Sequence, residues 1–480
     1  IYEICQGNYL EAVRVIKEKN PLPLVCGRIC VHPCEFECRR TLIDESVAIN
    51  HLKRFASDFE MKSGQRVELA KAPATGLRVA VVGGGAEGLT AANFLARLGH
   101  DATIYEGMPK LGGLLQTVIP DNRLPKDVLD WEIQGILDLG VEARTNSKLG
   151  RDFTVDSLLD EGYAAVFVAT GGWDSQMAAG MPTESMEVLP GVQLLVHFTF
   201  NHLAGRQPKV GKKVMILGGG NASFDAARLC KDRGAESVYV VFRGRRDSVP
   251  FTEQEIQAAE RDGIIVHFET VLTKMRGEGG RLTQVELTHL AGLPPTTTME
   301  ALRDVEAVEL LEVDTLLTGA GRFPELIYTR VAEEDAEGQE PGAEQGPPRW
   351  ETVLPYAGPF AEQDIGMFRP GEVTSDYKAV VEAIGAGRRG AISVHKKLMG
   401  EAVEPPAHMI RKQTTVLSVS EIEPVSSSPR HEMPTLSEEE RVLNPTAEIE
   451  LGFDEQQAIE EAKRCLRCGL ICYRRQLEPA

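Results

Sequence analysis

Two glycine-rich turns, each set between an apolar run and a helical segment, constrain the fold of this 480-residue chain more than any other feature. In the first, Gly83, Gly85 and Gly88 follow an apolar run and open the segment "AEGLTAANFLARLGH", which begins at Ala86. This spacing permits a tight turn, lets a pyrophosphate approach the backbone and allows the helix to pack closely on the strand. Glu106 ends the next strand, where a carboxylate accepts hydrogen bonds from ribose hydroxyls. The pattern predicts a dinucleotide-binding βαβ unit.

The second turn repeats the pattern about 135 residues later, with Gly218, Gly220, Asn221 and Ser223. A small residue such as serine meets the packing requirement of the third glycine. The strand that follows, "SVYVVF", ends without a carboxylate, and Arg243, Arg245 and Arg246 come directly after it. Guanidinium groups in place of an acid suit a 2′-phosphate, which favours NADP(H) over NAD(H) with Arg243 and Arg246 as ligands. The alternative is that these arginines form a solvated basic loop.

The pattern of elements predicts an α/β protein with two doubly wound dinucleotide-binding domains preceded by a small helical domain. A chain of 480 residues is long enough for two or three domains. We predict a helical domain over 1–72, a first dinucleotide domain over 73–195 that resumes at 320–400, a second over 196–319, and an arm with a cysteine-bearing helix over 401–480. The segment "VDTLLTGAG" is predicted to lead back to the first domain. The acidic, Pro/Gly-rich stretch 333–348 is predicted to be a surface insertion.

Seven of the nine cysteines form two groups with short spacing. The groups are Cys26, Cys30, Cys34 and Cys38, and Cys465, Cys468 and Cys472. In a chain with dinucleotide-binding patterns, such groups indicate metal ligands sooner than disulfides, and the first group is predicted to lie on a loop. Iron–sulfur clusters are favoured, with structural zinc as the alternative, because the first spacing lacks paired zinc knuckles. Cys5 and Cys230 are predicted to be ordinary buried thiols.

The formal net charge of −19 argues against bulk binding to nucleic acid or to an anionic membrane surface. No apolar run reaches the roughly 18–20 residues that a spanning helix needs. The chain opens on Ile1 without a basic leader, so we expect a cytoplasmic protein whose native N-terminus lies upstream of Ile1.

Several stretches resemble a known family: the FAD- and iron–sulfur-containing subunit of bacterial glutamate synthase, with its relatives in dihydropyrimidine dehydrogenase and NAD(P)H:ferredoxin oxidoreductases. They are "NPLPLVCGRICVHPCEFECRR", "VAINHLKRFASD", "GGLLQTVIPDNRLPKDVLDWEI", "AAVFVATGG" and "GGGNASFDAAR". The resemblance implies that the first βαβ unit holds FAD, that the second holds the nicotinamide cofactor, and that the cysteines hold one or two [4Fe–4S] clusters. It also implies further cofactor contacts at Gly112, Gly113, Leu114, Arg123, Thr170, Glu372 and Ala379.

Three departures from the family pattern bear on these sites. Glu372 stands where relatives carry aspartate, and Lys53 stands where some relatives carry a carboxylate or amide cluster ligand, which a protonated lysine cannot replace. The RCLxC segment of Cys465 and Cys468 lies near the chain end, whereas relatives place it before the region where this chain begins. We therefore expect that segment to fold back on the helical domain and to share a cluster with one cysteine of the 26–38 group. A cysteine upstream of Ile1 is expected to complete the second cluster.

The combined expectation is an NAD(P)H:acceptor oxidoreductase subunit that passes electrons between a nicotinamide dinucleotide, FAD and [4Fe–4S] clusters, with a partner subunit or a ferredoxin-like carrier as acceptor. No catalytic side chain is expected, because the cofactors carry the chemistry. The alternatives are a scaffold subunit without turnover and a glutamate synthase small subunit proper. A thiol–disulfide oxidoreductase is disfavoured, because Cys230 is the only cysteine in either dinucleotide domain.

Overall fold

The computed structural model describes residues 1–171, 189–218, 222–249, 251–290, 308–319, 326–331, 349–353, 355, 378–403 and 426–467. The predicted insertion 333–348 lies outside these ranges. Within them, no helix has both the length and the apolar character required to cross a membrane.

The chain begins with a helical domain whose elements are α1 (Tyr2–Cys5), α2 (Tyr9–Lys17), α3 (Pro23–Ile29), α4 (Pro33–Phe36), a 3₁₀ turn (Arg39–Leu42) and α5 (Ile49–Ser63). The predicted cysteine loop is therefore partly helical, with Cys26 inside α3 and Cys34 inside α4. Pro23 starts α3 with a preset backbone angle. Glu132, which lies 108 residues later, accepts hydrogen bonds from Leu24 N at 2.7 Å and Val25 N at 2.9 Å, and so caps the helix.

The first dinucleotide domain is built on a parallel core of four strands in the order β3-β2-β1-β4. The strands are β1 (Arg78–Val82), β2 (Asp101–Tyr105), β3 (Glu142–Arg144) and β4 (Ala165–Val168). The helices are α6 (Ala86–Arg97), α7 (Leu114–Thr117), α8 (Lys126–Leu137) and α9 (Val155–Asp160). β-Branched residues in β1 and small residues in α6 suit a buried strand and a helix packed against it.

The second domain is a five-stranded parallel sheet in the order β5-β12-β6-β7-β8. Its strands are β5 (Val192–Leu194), β6 (Lys213–Leu217), β7 (Ser237–Val241), β8 (Ile264–His267) and β12 (Thr315–Thr318). Its helices are α10 (Leu195–Leu203), α11 (Ala222–Asp232) and α12 (Glu253–Arg261). The segment predicted to lead back to the first domain is thus a central strand of the second, because β12 pairs with β5 and β6.

The first sheet extends beyond its parallel core through antiparallel strands in the order β4-β13-β14-β9-β10-β11. These are β9 (Thr270–Glu278), β10 (Arg281–His289), β11 (Val308–Glu312), β13 (Leu326–Arg330) and β14 (Arg349–Val353). The chain returns to the first sheet at β13, which pairs with β4. Residues 270–312, which the predicted boundaries assign to the second domain, join the first sheet where β14 pairs with β9.

One long helix, α13 (Lys378–Leu398), packs against α6 and confirms the expected helix near Lys378. The two helices approach so closely that a Cβ at Gly387 would lie 2.1 Å from the carbonyl oxygen of Glu87. The contact holds α13 against the first turn of α6, which begins at the first glycine turn.

The end of the described chain folds back on the helical domain through α14 (Glu438–Leu443) and α15 (Glu455–Lys463). Phe453, Ala458 and Ala462 share an apolar cluster with Val13 and Leu52 of the N-terminal helices. The predicted return of the C-terminal segment to the N-terminal domain is therefore present in the structure.

Candidate cofactor and cluster sites

The first glycine turn brings a helix N-terminus against the end of β1. Gly83 has φ of 110°, and a Cβ there would lie 2.2 Å from the carbonyl oxygen of Ala169. A Cβ at Gly88 would lie 1.8 Å from the carbonyl oxygen of Gly83. No side chain fits at either position, so the sharp turn and the close start of α6 at Ala86 depend on glycine.

Glu106 lies at the turn, as its place after β2 predicts, and its side chain is buried. Its Oε2 accepts a hydrogen bond from Gly84 N, and its Oε1 accepts one from Met108 N, both at 2.7 Å. A carboxylate oxygen has two acceptor sites, so each can take a further donor such as a ribose hydroxyl. The two backbone bonds hold the carboxylate where such a ligand would reach it.

An open space, which we call the cradle, lies between the first turn and the following glycine pair. The nearest atom to a Cβ built on Gly85 is Gly113 Cα at 4.0 Å, so the space in front of Gly85 is open. Gly112 N donates to Gly84 O at 2.8 Å and ties the glycine pair, which precedes Leu114, to the turn. Five predicted contacts therefore converge here: Gly83, Gly85, Glu106, Gly112 and Gly113.

Thr170 lies at the same edge of the sheet, directly after β4. Its Cα would be 3.3 Å from a Cβ on Gly83, and its Oγ1 is buried without a hydrogen-bond partner among the described residues. A buried hydroxyl without a partner is costly unless a ligand satisfies it. The open cradle and this hydroxyl fit a bound dinucleotide.

The remaining predicted contacts in this domain are only partly described. Arg123 follows α7, with Nη1 3.5 Å from Oε1 of Glu450 in the C-terminal segment. Ala379 lies in the first turn of α13, and its backbone alone is described. Glu372 lies outside the described residues.

The second glycine turn differs from the first in how its third position is filled. Gly218 has φ of 61°, and no atom of the described residues lies within 4 Å of a Cβ built there. Ser223, buried in α11, donates its hydroxyl to the carbonyl oxygen of Gly218. A side chain is thus accommodated where the first turn excludes one. Gly220 and Asn221 lie outside the described residues.

The predicted 2′-phosphate ligands follow β7, and ion pairs already engage one of them. Arg246 lies 2.8 Å from Glu253 and 2.7 Å from Glu260, both on α12. Arg245 lies 2.9 Å from Asp247. Arg243 is half-buried in the same loop. A phosphate would have to compete with two carboxylates for Arg246.

The cysteines separate into two groups that differ from the groups in the sequence. Cys26 and Cys30 belong to the core of the first dinucleotide domain, where they share an apolar cluster with Leu111 and Leu115 beside the glycine pair. Cys34, on α4, is exposed. Among the described residues, no three His, Cys, Asp or Glu side chains lie close enough to hold a single metal ion.

The other group lies between the two ends of the described chain. Cys38 and Cys465 both pack on the apolar cluster that joins the N-terminal helices to α15. Cys468 and Cys472 lie outside the described residues. The structure therefore identifies Cys38 as the member of the 26–38 group that lies with the C-terminal segment.

Cys5 differs from the prediction of an ordinary buried thiol, because it is only half-buried and packs on the same cluster as Cys38 and Cys465. Burial raises the pKa of its thiol, and the Arg467 guanidinium opposes that rise. Cys230 is fully buried, as predicted, and burial raises its pKa to about 12.

Burial also governs the thiols of the first group. It raises the pKa of Cys26 to about 11 and that of Cys34 above its usual value, whereas the Lys53 charge lowers both. Coordination to iron deprotonates a thiol outright. The positive charge of Lys53 therefore favours the thiolate forms of Cys26 and Cys34, although a protonated lysine cannot be a ligand.

Sequence reasoning missed Glu132 and the buried arginines of the helical domain. Burial raises the pKa of Glu132 to about 7, and its bonds to the α3 backbone counteract that rise. The sequence feature that indicates Glu132 is its place among the apolar residues on the buried face of α8. Arg54 is 1% exposed in α5, and the sequence indicates only one of its partners, Asp58 one turn away, because the other two, Glu448 and Glu450, lie almost 400 residues later.

Comparison with known proteins agrees with this organisation. Residues 77–336 match the family described as pyridine nucleotide-disulphide oxidoreductase. Residues 1–65 match dihydropyrimidine dehydrogenase domain II, which is described as a 4Fe-4S cluster domain. The two matches divide the chain where the helical domain meets the first dinucleotide domain.

Three relatives cover most of the chain. The beta subunit of NADP(+)-dependent formate dehydrogenase of Moorella thermoacetica is 32% identical over 97% of this chain and 68% of its own length. The beta subunit of NADPH-Fe(3+) oxidoreductase of Geobacter sulfurreducens is 30% identical over 98% and 72%. The small chain of the NADPH glutamate synthase of Escherichia coli is 29% identical over 80% and 83%.

The chain belongs to the pyridine nucleotide-disulphide oxidoreductase family and is an FAD-dependent NAD(P)H oxidoreductase with an N-terminal 4Fe-4S domain that transfers electrons between these cofactors.

Proposed function

We propose that the protein is the NADPH-side subunit of a cytoplasmic multi-subunit oxidoreductase, in which electrons pass between NADPH, FAD and two [4Fe–4S] clusters and then to or from a partner subunit. The observation that carries this proposal is the apolar core that Cys26 shares with Leu111 and Leu115, against which Cys30 also packs, so that the proposed cluster ligands and the proposed flavin site border one core. FAD, when bound, exchanges a hydride with the nicotinamide and single electrons with the clusters.

The residues of the chain supply position and electrostatics. Gly83, Gly85 and Gly88 open the α6 N-terminus to the pyrophosphate, and Glu106 accepts from the ribose. The N-terminus of α13 would direct its dipole toward the flavin, where it would favour the electron-rich form. We assign Leu114, Arg123, Thr170, Glu372 and Ala379 to the same site, following the family resemblance.

In the second domain, the turn of Gly218, Gly220, Asn221 and Ser223 would hold the nicotinamide dinucleotide. Arg243 would pair with the 2′-phosphate, with Arg246 as a secondary contact. The preference for NADPH is supported by the absence of an acid after β7 and by two relatives named for NADPH or NADP(+).

For the clusters, we assign Cys38, Cys465, Cys468 and Cys472 to one site. Cys26, Cys30 and Cys34 supply ligand candidates for the other. The first assignment is supported by the common apolar cluster of Cys38 and Cys465. A cytoplasmic location suits the thiols, because reducing conditions keep them available for iron. Relatives named as beta subunits support a partner.

An anaerobic titration tests the proposal. NADPH should bleach the flavin absorbance near its visible maximum and then the broader cluster absorbance, whereas an equal concentration of NADH should act more slowly. Substitution of a predicted cluster cysteine should abolish the cluster phase of this titration. The variant C230S is the matched control for such a substitution, because Cys230 is buried in the second domain away from both cysteine groups. A protein that binds FAD and iron but is reduced by neither nucleotide would instead be a scaffold subunit.

A further inference from the structure

A network of charged side chains joins the C-terminal segment to both the helical domain and the flavin domain. Its cations are Arg28, Arg54 and Arg123, and its anions are Asp58, Glu448 and Glu450. We refer to residues 448–452, which supply two of the anions, as the strap. The network contains three charges of each sign.

The strap neutralises two arginines that are almost completely buried. Arg54, which is 1% exposed, donates to Oε1 of Glu448 at 2.7 Å and to the backbone oxygen of Glu450 at 2.6 Å. Arg28, which is 6% exposed, lies 2.8 Å from Glu448 and 2.8 Å from Asp58. Without the strap, Asp58 would face both guanidinium groups alone, and buried charge without a partner is strongly destabilising.

The strap also reaches the loop that precedes α8 in the flavin domain. Ile449 N donates to the backbone oxygen of Asn122 at 3.0 Å. The carboxylate of Glu450 lies between Arg54 Nη1 at 3.3 Å and Arg123 Nη1 at 3.5 Å. A single side chain therefore touches a cation of the cluster-bearing domain and a cation of the loop that we assign to the flavin site.

We propose that Glu450 is a positioning residue for electron transfer, which holds the Arg123 loop against the helical domain and offsets the positive charge that Arg123 would bring to the proposed flavin site. This inference rests on the proposed function, because it requires flavin in the first cradle and Arg123 beside it. It assigns a redox role to a segment near the end of the chain that holds none of the predicted ligands.

The sign of the effect follows from electrostatics. Positive charge beside a flavin stabilises its electron-rich reduced form and raises its midpoint potential, whereas negative charge lowers it. Removing the Glu450 charge leaves Arg123 less compensated, so the potential rises. Removing the Arg123 charge should lower the flavin midpoint potential. A purely structural role for Glu450 would not require opposite shifts in the two variants.

The experiment compares E450Q and R123Q with E351Q in the holoprotein. Glu351 is the matched control, because it also lies between two cations, Lys274 at 3.4 Å and Lys397 at 3.0 Å, but on β14. Flavin midpoint potentials are measured by electrochemical titration, which needs no nucleotide. Stopped-flow absorbance separates flavin reduction by NADPH from the later reduction of the clusters.

We expect a more positive flavin potential in E450Q, a more negative one in R123Q and the wild-type value in E351Q. In E450Q the cluster phase should slow roughly tenfold, with a smaller change in the flavin phase. Wild-type potential and cluster rate in E450Q would overturn the proposal. If E450Q fails to fold, R123Q decides, because an unshifted potential there overturns it equally. Failure of NADPH to reduce the wild type would contradict the proposed function alone, since the potentials still report on the strap.

Discussion

The two glycine turns follow the same pattern but hold their ligands differently. In the first turn, Gly88 excludes any side chain, and Glu106 is bonded to the backbone on both carboxylate oxygens. In the second turn, Ser223 fits at the matching position and bonds across the turn, and an arginine loop replaces the acid. A rigid, fully bonded turn suits a resident cofactor, whereas a turn with exposed charged partners suits a nucleotide that must bind and leave.

The largest expected effect tests the third position of each turn. The variant G88S should lose FAD completely, because its Cβ would meet the carbonyl oxygen of Gly83 at 1.8 Å. The variant S223G should keep FAD and lose about 0.5–1.5 kcal/mol of stability with its hydrogen bond. The flavin content of each purified protein, from its absorbance ratio, decides the matter. Bound FAD in G88S would show that the two turns do not differ as described.

The next effect concerns the acid that distinguishes the turns. The variant E106Q should bind FAD at least about tenfold more weakly, since hydrogen bonds to a charged group contribute about 1.5–3 kcal/mol. Reconstitution of the flavin-free protein with FAD gives the dissociation constant. Glu142, exposed on neighbouring β3, supplies the control variant E142Q. Equal affinities in the two variants would remove Glu106 from the site.

A smaller effect is expected at the arginine loop of the second turn. The variant R243Q should raise the KM for NADPH about tenfold and leave that for NADH little changed, because a lost charge-assisted bond costs about 1.4 kcal/mol. The variant R246Q should change it less, since Glu253 and Glu260 already hold that side chain. Steady-state kinetics with an artificial acceptor give both constants. A larger effect of R246Q would reverse the assignment.

The smallest effect is the contribution of His100, in the first domain, to the pH dependence of stability. Burial, and then the neighbouring His395, lower the pKa of His100 to about 4. His100 Nε2 lies 3.0 Å from His395 Nδ1. Between about pH 6.5 and pH 4, His100 is protonated in the unfolded state but neutral in the folded state. The free energy of unfolding that His100 contributes above about pH 6.5 is therefore lost as the pH falls toward 4. The loss at pH 6 is about 0.8 kcal/mol.

Thermal unfolding between pH 7 and pH 5, followed by release of flavin fluorescence, measures this dependence. The variant H100Q should reduce the slope relative to the wild type, and the remaining slope includes the contribution of His51, whose pKa burial also lowers to about 4. A slope that is unchanged by the substitution would contradict the contribution of His100.

Local pattern was sufficient to predict both βαβ units and the helices that follow them, because alternating apolar runs and glycine turns encode these within about 30 residues. The same holds for α5 and α13. The assignment of β12 was wrong, because an isolated apolar strand does not reveal which sheet it joins. Partner choice depends on tertiary contacts that no local window contains.

The site shows the same division. The position of Glu106 was predictable, since it follows its strand at the interval that the βαβ pattern requires, whereas the glycine pair was expected only from the family resemblance. The start of α3 was not, because its cap, Glu132, lies in another domain. The grouping of Cys38 with Cys465 needed the fold, since sequence spacing alone joins Cys38 to Cys34.

The strap has a consequence for how the protein is made. A ribosome releases Arg54 394 residues before its partner Glu448, an interval of roughly 20–80 seconds at about 5–20 residues per second. During that interval Asp58 is the only anion of the network that has been synthesised, and it faces both Arg28 and Arg54. The helical domain therefore completes its charge pairs and its apolar cluster only after residues 448–465 have left the ribosome.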